Sequence, residues 1–171
     1  QGFGKRSIVK ILLITYYWPP AGGSGVQRWL HFSKYLAENG AELVVYFPSD
    51  ASYAVLDESL LTQVPKNIKV LQQPIFEPNH LLSFFGGKNK QSSAGFLNPN
   101  PSFFEKRLQF IRANYFIPDA RIFWVKPSVS YLQKYLESQP VDVVITTGPP
   151  HSLHLIGMAL KKSMNCKWIA D

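Results

Sequence analysis

The chain has 171 residues, enough for one domain with a sizeable buried core. With 46% hydrophobic and 17% charged residues it is neither a disordered chain nor, lacking periodic glycine, a fibre. Its 18 Lys and Arg against 11 Asp and Glu leave +7, a surplus that favours phosphates, nucleic acid or an anionic membrane face, and the lone Cys166 excludes a disulfide framework or a zinc cluster of several thiolates.

The opening Gln1-Gly2-Phe3 lacks an initiator Met, and the chain stops on what reads as a strand. A tag remnant is expected at the front, and the end is expected of a fragment of a longer protein. Lys5 and Arg6 ahead of the apolar residues 8–18 imitate a secretory leader, but Lys10 interrupts the run and Pro19-Pro20 follow it. A buried strand fits those residues better. No apolar stretch approaches the roughly 20 residues that cross a bilayer, so a soluble domain is expected.

Residues 8–14 are almost continuously apolar and β-branched, the pattern of a strand covered on both faces. A glycine-rich loop, Ala21-Gly22-Gly23-Ser24-Gly25, follows. Val26, Trp29, Leu30, Ser33 and Leu36 then recur at helical spacing, and Asn39-Gly40 stops that helix. Residues 43–47 resume a strand, and 68–71 form a short third one. Residues 86–101 are a long Gly, Lys, Asn, Ser and Pro loop, of the kind that forms a lid or stays disordered. Phe104, Leu108, Ile111 and Tyr115 share a helical face, and Pro127 suits a helix first turn before Val129, Leu132 and Leu136. Residues 141–147 are a buried strand. Gly148-Pro149-Pro150 turns the chain into a helix carrying Leu153, Ile156, Gly157 and Leu160, with Lys161 and Lys162 in its last turn, and 167–170 close the sequence as a strand. Strands alternating with helices predict an α/β, doubly wound, mostly parallel sheet of Rossmann-like type, whose ligands sit beyond the carboxyl ends of the strands.

Two strand-to-helix loops therefore share one rim. In the first, Gly22, Gly23, Ser24 and Gly25 offer free N–H groups and bare Cα atoms to an anion, and Arg28 adds a two-pronged guanidinium. A plain chain reversal and a solvated arginine are the competing readings. A dinucleotide fingerprint fails because Arg28 stands where a third glycine is required, and Gly25-Val26-Gln27 is not a P-loop. In the second loop, Gly148-Pro149-Pro150-His151-Ser152, His151 is a candidate acid, base or phosphate donor. His154 lies three residues on, but two histidines without a carboxylate do not make a metal site, so no metal or other cofactor is expected. No nucleophile elbow is present, and Cys166 reads as packing. Basic and aromatic residues interleave across 103–126, with Leu81, Leu82, Phe84 and Phe85 upstream. They form either a core with its charged rim or a face toward an anionic membrane. Nucleic acid stacking on them is disfavoured.

Residues 11–18 followed by Pro19-Pro20-Ala21-Gly22-Gly23-Ser24-Gly25-Val26-Gln27-Arg28 resemble the opening of family 4 glycosyltransferases, retaining enzymes of GT-B architecture. Pro118-Asp119-Ala120-Arg121 with Trp124, and Thr146-Thr147-Gly148-Pro149-Pro150-His151-Ser152, look like later landmarks of the same amino-terminal domain. The resemblance implies that residues 1–171 are the acceptor-side half of such an enzyme, without the carboxy-terminal donor-binding domain. It implies that Gly22 and Gly23 approach the diphosphate of a nucleotide-sugar, with Arg28 and His151 beside it and Gly148, Ser152 and Asp171 lining the cleft. The implied partners are a nucleotide-sugar and a sugar or lipid-linked acceptor of cell-surface polysaccharide synthesis, at the cytoplasmic face of the membrane. No metal is needed, and the half-enzyme alone should transfer no sugar. The alternatives are a non-catalytic nucleotide-binding or membrane-docking α/β module, and a GT-B-like nucleotide-sugar epimerase.

Overall fold

A computed structural model of the chain describes residues 8–76 and 117–171. Among these the strands are β1 (Lys10–Ile14), β2 (Glu42–Pro48), β3 (Lys69–Gln73), β4 (Val143–Thr146) and β5 (Lys167–Ala170), and the α-helices are α1 (Ser24–Glu38), α2 (Ile122–Ser138) and α3 (Ser152–Ser163). The expected 86–101 loop, the helical face from Phe104 to Tyr115 and the apolar residues 81–85 lie outside the described residues.

The five strands form one sheet in the order β3-β2-β1-β4-β5, and every pairing is parallel. The period-2 alternation of the strands divides the apolar side chains between two helix layers. Ile11, Leu13, Leu43, Val45, Phe47 and Ile145 face α1, which brings Val26, Trp29 and Leu30 to them. Leu12, Ile14, Tyr46, Leu71 and Val144 face α2 and α3, which bring Trp124, Leu132, Leu136, Leu153, Ile156 and Leu160. Helices on both faces of a parallel sheet make this a doubly wound, Rossmann-like α/β fold. Burying both faces requires continuously apolar strands, as residues 11–14 of β1 and 143–145 of β4 are.

Two elements depart from the sequence pattern. Gly40 at φ +85° ends α1 where expected, but α1 begins at Ser24, so Ser24 and Gly25 belong to its first turn and the preceding loop ends at Gly23. Pro127 does not open α2. It is the sixth residue of a helix that starts at Ile122, where it cannot donate to the carbonyl of Phe123. The extra turn forms because Trp124, only 1% exposed, stacks on Tyr46 with ring centroids 5.0 Å apart and planes within 5°. Burial of that pair outweighs the missing hydrogen bond and ring clash of an interior proline, together about 3 kcal/mol. Trp124 is thus core, while Phe123 is about half exposed and Lys126 exposed. Among the described residues no helix is long and apolar enough to cross a membrane.

Candidate functional site

The strand order reverses direction between β1 and β4: the chain leaves β1 toward β2 and leaves β4 toward β5. Loops that diverge from adjacent carboxyl ends leave a crevice between them. A cavity of about 390 Å³ occupies that position. One wall is Thr15, Tyr17, Gly22 and the start of α1 (Ser24, Gly25, Val26, Arg28, Trp29), and the other is Thr147, Gly148 and Pro149. The volume lies within the range of small-molecule sites.

The glycines of the first loop do different things. Gly23, at φ +105° and ψ 171°, is the residue before α1 and holds a conformation that strains any side chain. A Cβ added at Gly23 or Gly25 meets nothing within 4 Å, so open space lies over both. Gly22 is bare for another reason: a Cβ there would come 2.9 Å from Val55 Cγ1. Its N–H also donates to the Val55 carbonyl at 2.9 Å, part of a bridge that joins Ala21 to Leu56. That amide is committed to the fold. The amino end of α1 has no side-chain cap and no acidic residue in its first turn. Its first N–H groups and its dipole therefore face the crevice with no protein carboxylate in that turn to offset them.

Arg28 is the fifth residue of α1. Its guanidinium pairs with the Asp171 carboxylate through Nη2 and lies 5.6 Å over the Trp29 ring. Trp29 Nε1 donates to the same Asp171 oxygen at 3.1 Å. Asp171 does not line the cavity itself. It stands behind Arg28 and Trp29, which do.

In the second loop Gly148 forms cavity wall, and its bare Cα accommodates two imidazoles. A Cβ there would fall 3.0 Å from His151 Nδ1 and 3.1 Å from His154 Nε2. His151 is exposed at the residue preceding α3, outside the cavity lining, with its ring 5.9 Å from that of His154. Thr146 Oγ1 contacts His154 Nδ1 and accepts from Trp168 Nε1, each at 2.9 Å. Burial lowers the His154 pKa from its ordinary 6.5 and the neighbouring His151 pushes it the same way, while Asp171 pulls against them. His154 is therefore held toward its neutral form. The spacing of three residues from His151 was the available signal for it, since i and i+3 are neighbours on a helix.

Ser152, expected in the cleft wall, is fully buried. Its N–H and Oγ both donate to Asp119, each at 2.8 Å, and Asp119 also accepts the Arg121 N–H at 2.9 Å. The Pro118-Asp119-Ala120-Arg121 stretch thus caps α3 from a distance of 33 residues and starts α2 as well. Arg121 goes on to donate through Nη2 to the Tyr16 hydroxyl at 3.1 Å and lies 4.8 Å over that ring. Among the described residues no group of three or more His, Cys, Asp or Glu side chains gathers around a point where a metal could bind. The cavity instead offers backbone amides, a guanidinium and hydroxyls, which suit an anionic organic ligand.

No family model matches the sequence, and no curated protein matches it. Among solved structures it is similar to UGT2 of Phytolacca americana, determined with UDP-2fluoro-glucose and pterostilbene. That likeness has a TM-score of 0.53 at 14% identity, over 97% of this chain and 31% of that one. A glycosyltransferase from Rickettsia africae ESF-5 gives 0.48 at 14% identity, over 96% and 29%. The C-terminal domain of a hydrogenase from Pyrococcus furiosus gives 0.48 at 16% identity, over 95% and 91%. The chain thus spans under a third of the length of either glycosyltransferase. The likeness to UGT2 is one of fold, and the fold is GT-B-like.

Proposed function

We propose that this chain is the amino-terminal, acceptor-side domain of a retaining glycosyltransferase that uses a nucleotide-sugar, in the manner of family 4. One observation supports the reading above all: the cavity at the β1/β4 switch point is built on the uncapped start of α1, with Ser24, Gly25 and Arg28 on its wall. That UGT2 was determined with UDP-2fluoro-glucose and pterostilbene is consistent with it.

When the bond between the sugar C1 and the diphosphate oxygen breaks, negative charge accumulates on the departing nucleotide. Amides at a helix start and a guanidinium stabilise that charge without a metal ion. In this reading the N–H groups of Ser24 and Gly25 and the Arg28 side chain meet the diphosphate. The Gly148 loop, with His151 at its end, confronts the sugar, and a second lobe holds the nucleotide. Gly22 contributes the shape of the loop rather than an amide. The acceptor is a sugar or a lipid-linked sugar of a surface polysaccharide, met at the inner face of the membrane.

The test is turnover by the full-length protein against a panel of nucleotide-sugars, with Arg28→Ala as the diagnostic variant. Losing a charged hydrogen-bond donor to a developing anion costs about 2–4 kcal/mol. The expected result is a fall in kcat/KM of roughly 10²-fold with unchanged melting, and no transfer by residues 1–171 alone. Full-length protein inert toward every nucleotide-sugar refutes the proposal, and unchanged kinetics in Arg28→Ala removes that residue from the site.

A further inference from the structure

Resting on that reading of the cavity, we propose that Asp171 is a positioning residue, which holds the Arg28 guanidinium and the Trp29 indole in place for the anionic ligand without touching the ligand itself. Residue 171 follows β5, and its backbone is fixed at both polar atoms. Its N–H donates to the Thr146 carbonyl at 2.9 Å and its carbonyl accepts the Gly148 N–H at 3.0 Å. From this anchored position one carboxylate oxygen, Oδ2, accepts from Arg28 Nη2 and from Trp29 Nε1. Those two donors line the cavity and Asp171 does not.

The geometry separates a support from a ligand-binding group. A guanidinium has five N–H donors in a rigid fork, and the contact to Asp171 runs through a single nitrogen, leaving the rest of the fork for the cavity. An arginine held on one prong gives up little further rotamer freedom when it grips an anion, whereas an unheld one gives up most of it. The same carboxylate turns the Trp29 indole, over whose ring the guanidinium lies at 5.6 Å. The two residues are thereby fixed relative to each other. The opposite role, a carboxylate competing with the ligand for Arg28, requires residue 171 to withdraw on binding. Its two backbone hydrogen bonds to the β4 loop resist that movement.

The experiment is a double-mutant cycle in the full-length protein, reading UDP affinity by calorimetry for wild type, D171N, R28A and D171N/R28A, with melting curves for all four. D171N is expected to weaken UDP binding about tenfold and R28A at least as much. The double variant is expected to bind no more weakly than R28A alone, because Asp171 reaches the ligand through Arg28 and the Trp29 ring serves to seat that guanidinium. A merely structural role would instead subtract the same factor with or without Arg28. Overturning results are D171N binding UDP as well as or better than wild type, or D171N costing tenfold in the R28A background too. Should D171N fail to melt cooperatively, D171E takes its place in the cycle. It keeps the charge but displaces the carboxylate by one methylene, and a loss of about threefold is expected. Folded wild type that binds neither UDP nor another nucleoside diphosphate refutes the reading of the cavity. Wild type that binds UDP while D171N is unaffected refutes only the role of Asp171.

Discussion

Gly157→Ala sets two physical effects against each other. On an exposed helix the change would stabilise the protein by about 0.5–1 kcal/mol, since alanine loses less backbone entropy than glycine. Gly157 is instead fully packed inside α3, against β4 and β5. The new Cβ would come 2.7 Å from Trp168 Cε2 and 2.8 Å from Thr146 Cγ2, and closest of all to Trp168 Nε1. Overpacking of this kind costs about 1–3 kcal/mol. Displacing the indole also breaks its 2.9 Å hydrogen bond to Thr146 Oγ1, worth about another 1 kcal/mol. Thr146 is fully buried on the central strand pair and cannot step aside. The balance is a net loss of about 2 kcal/mol, a Tm lower by roughly 4–8 °C for a chain of this size. Thermal and urea melts measure it. Trp168→Leu in the same background should recover at least half of the loss, because the indole is the obstacle. A Gly157→Ala protein that melts at or above the wild-type temperature would refute the reasoning, since helix propensity would then have outweighed packing.

Further predictions concern the rim. Gly23→Ala should destabilise by about 1–2 kcal/mol from backbone strain at φ +105°, seen in urea denaturation. Gly25→Ala has room for its Cβ and should keep or slightly raise stability, yet weaken UDP binding by roughly tenfold. UDP affinity equal to wild type in that variant would show that the start of α1 is not the phosphate seat. Asp119→Ala removes the acceptor of both Ser152 donors and leaves a buried hydroxyl unpaired, so a loss of about 2–3 kcal/mol is expected by denaturation. The lowered His154 pKa, caused first by burial, has a definite linkage sign: below the ordinary 6.5 the unfolded chain takes up a proton that the folded one does not. The contribution is therefore intact above pH 6.5 and lost as pH falls through the folded value, and His154→Gln should flatten that slope in a pH series of melting curves.

The parts of the fold fixed by local pattern were legible. The apolar run of β1, the helical spacing from Val26 to Ser33, the Asn39-Gly40 stop and the Lys167–Ala170 strand all stand where the periodicity puts them. What depends on contacts between distant residues was not legible. Pro127 is a sound local signal for a helix start, overruled by the stacking of Trp124 on a tyrosine from β2. Ser152 sits at the rim by sequence position, but a carboxylate 33 residues earlier draws it inward. Arg28 could be placed on α1 from spacing alone. Nothing in its neighbourhood announces that its partner is 143 residues away. Likewise, the bare Cα of Gly22 answers to Val55, which only the folding of the 51–57 segment brings near.

The divergence of the chain at β1 and β4 has a consequence for how much spelling the crevice requires. Its existence follows from connectivity: two neighbouring strands send their continuations opposite ways, and a gap opens whatever side chains border it. Arg28 occupies the place of the third glycine in a dinucleotide fingerprint, but here that position points outward, and α1 meets the sheet through Val26, Trp29, Leu30 and Ser33. The departure leaves the hollow intact and alters only its chemistry, exchanging a close backbone approach for a cation. Ligand choice in such a scaffold is thus free to drift with a handful of bordering residues, while the architecture that makes room for a ligand stays put.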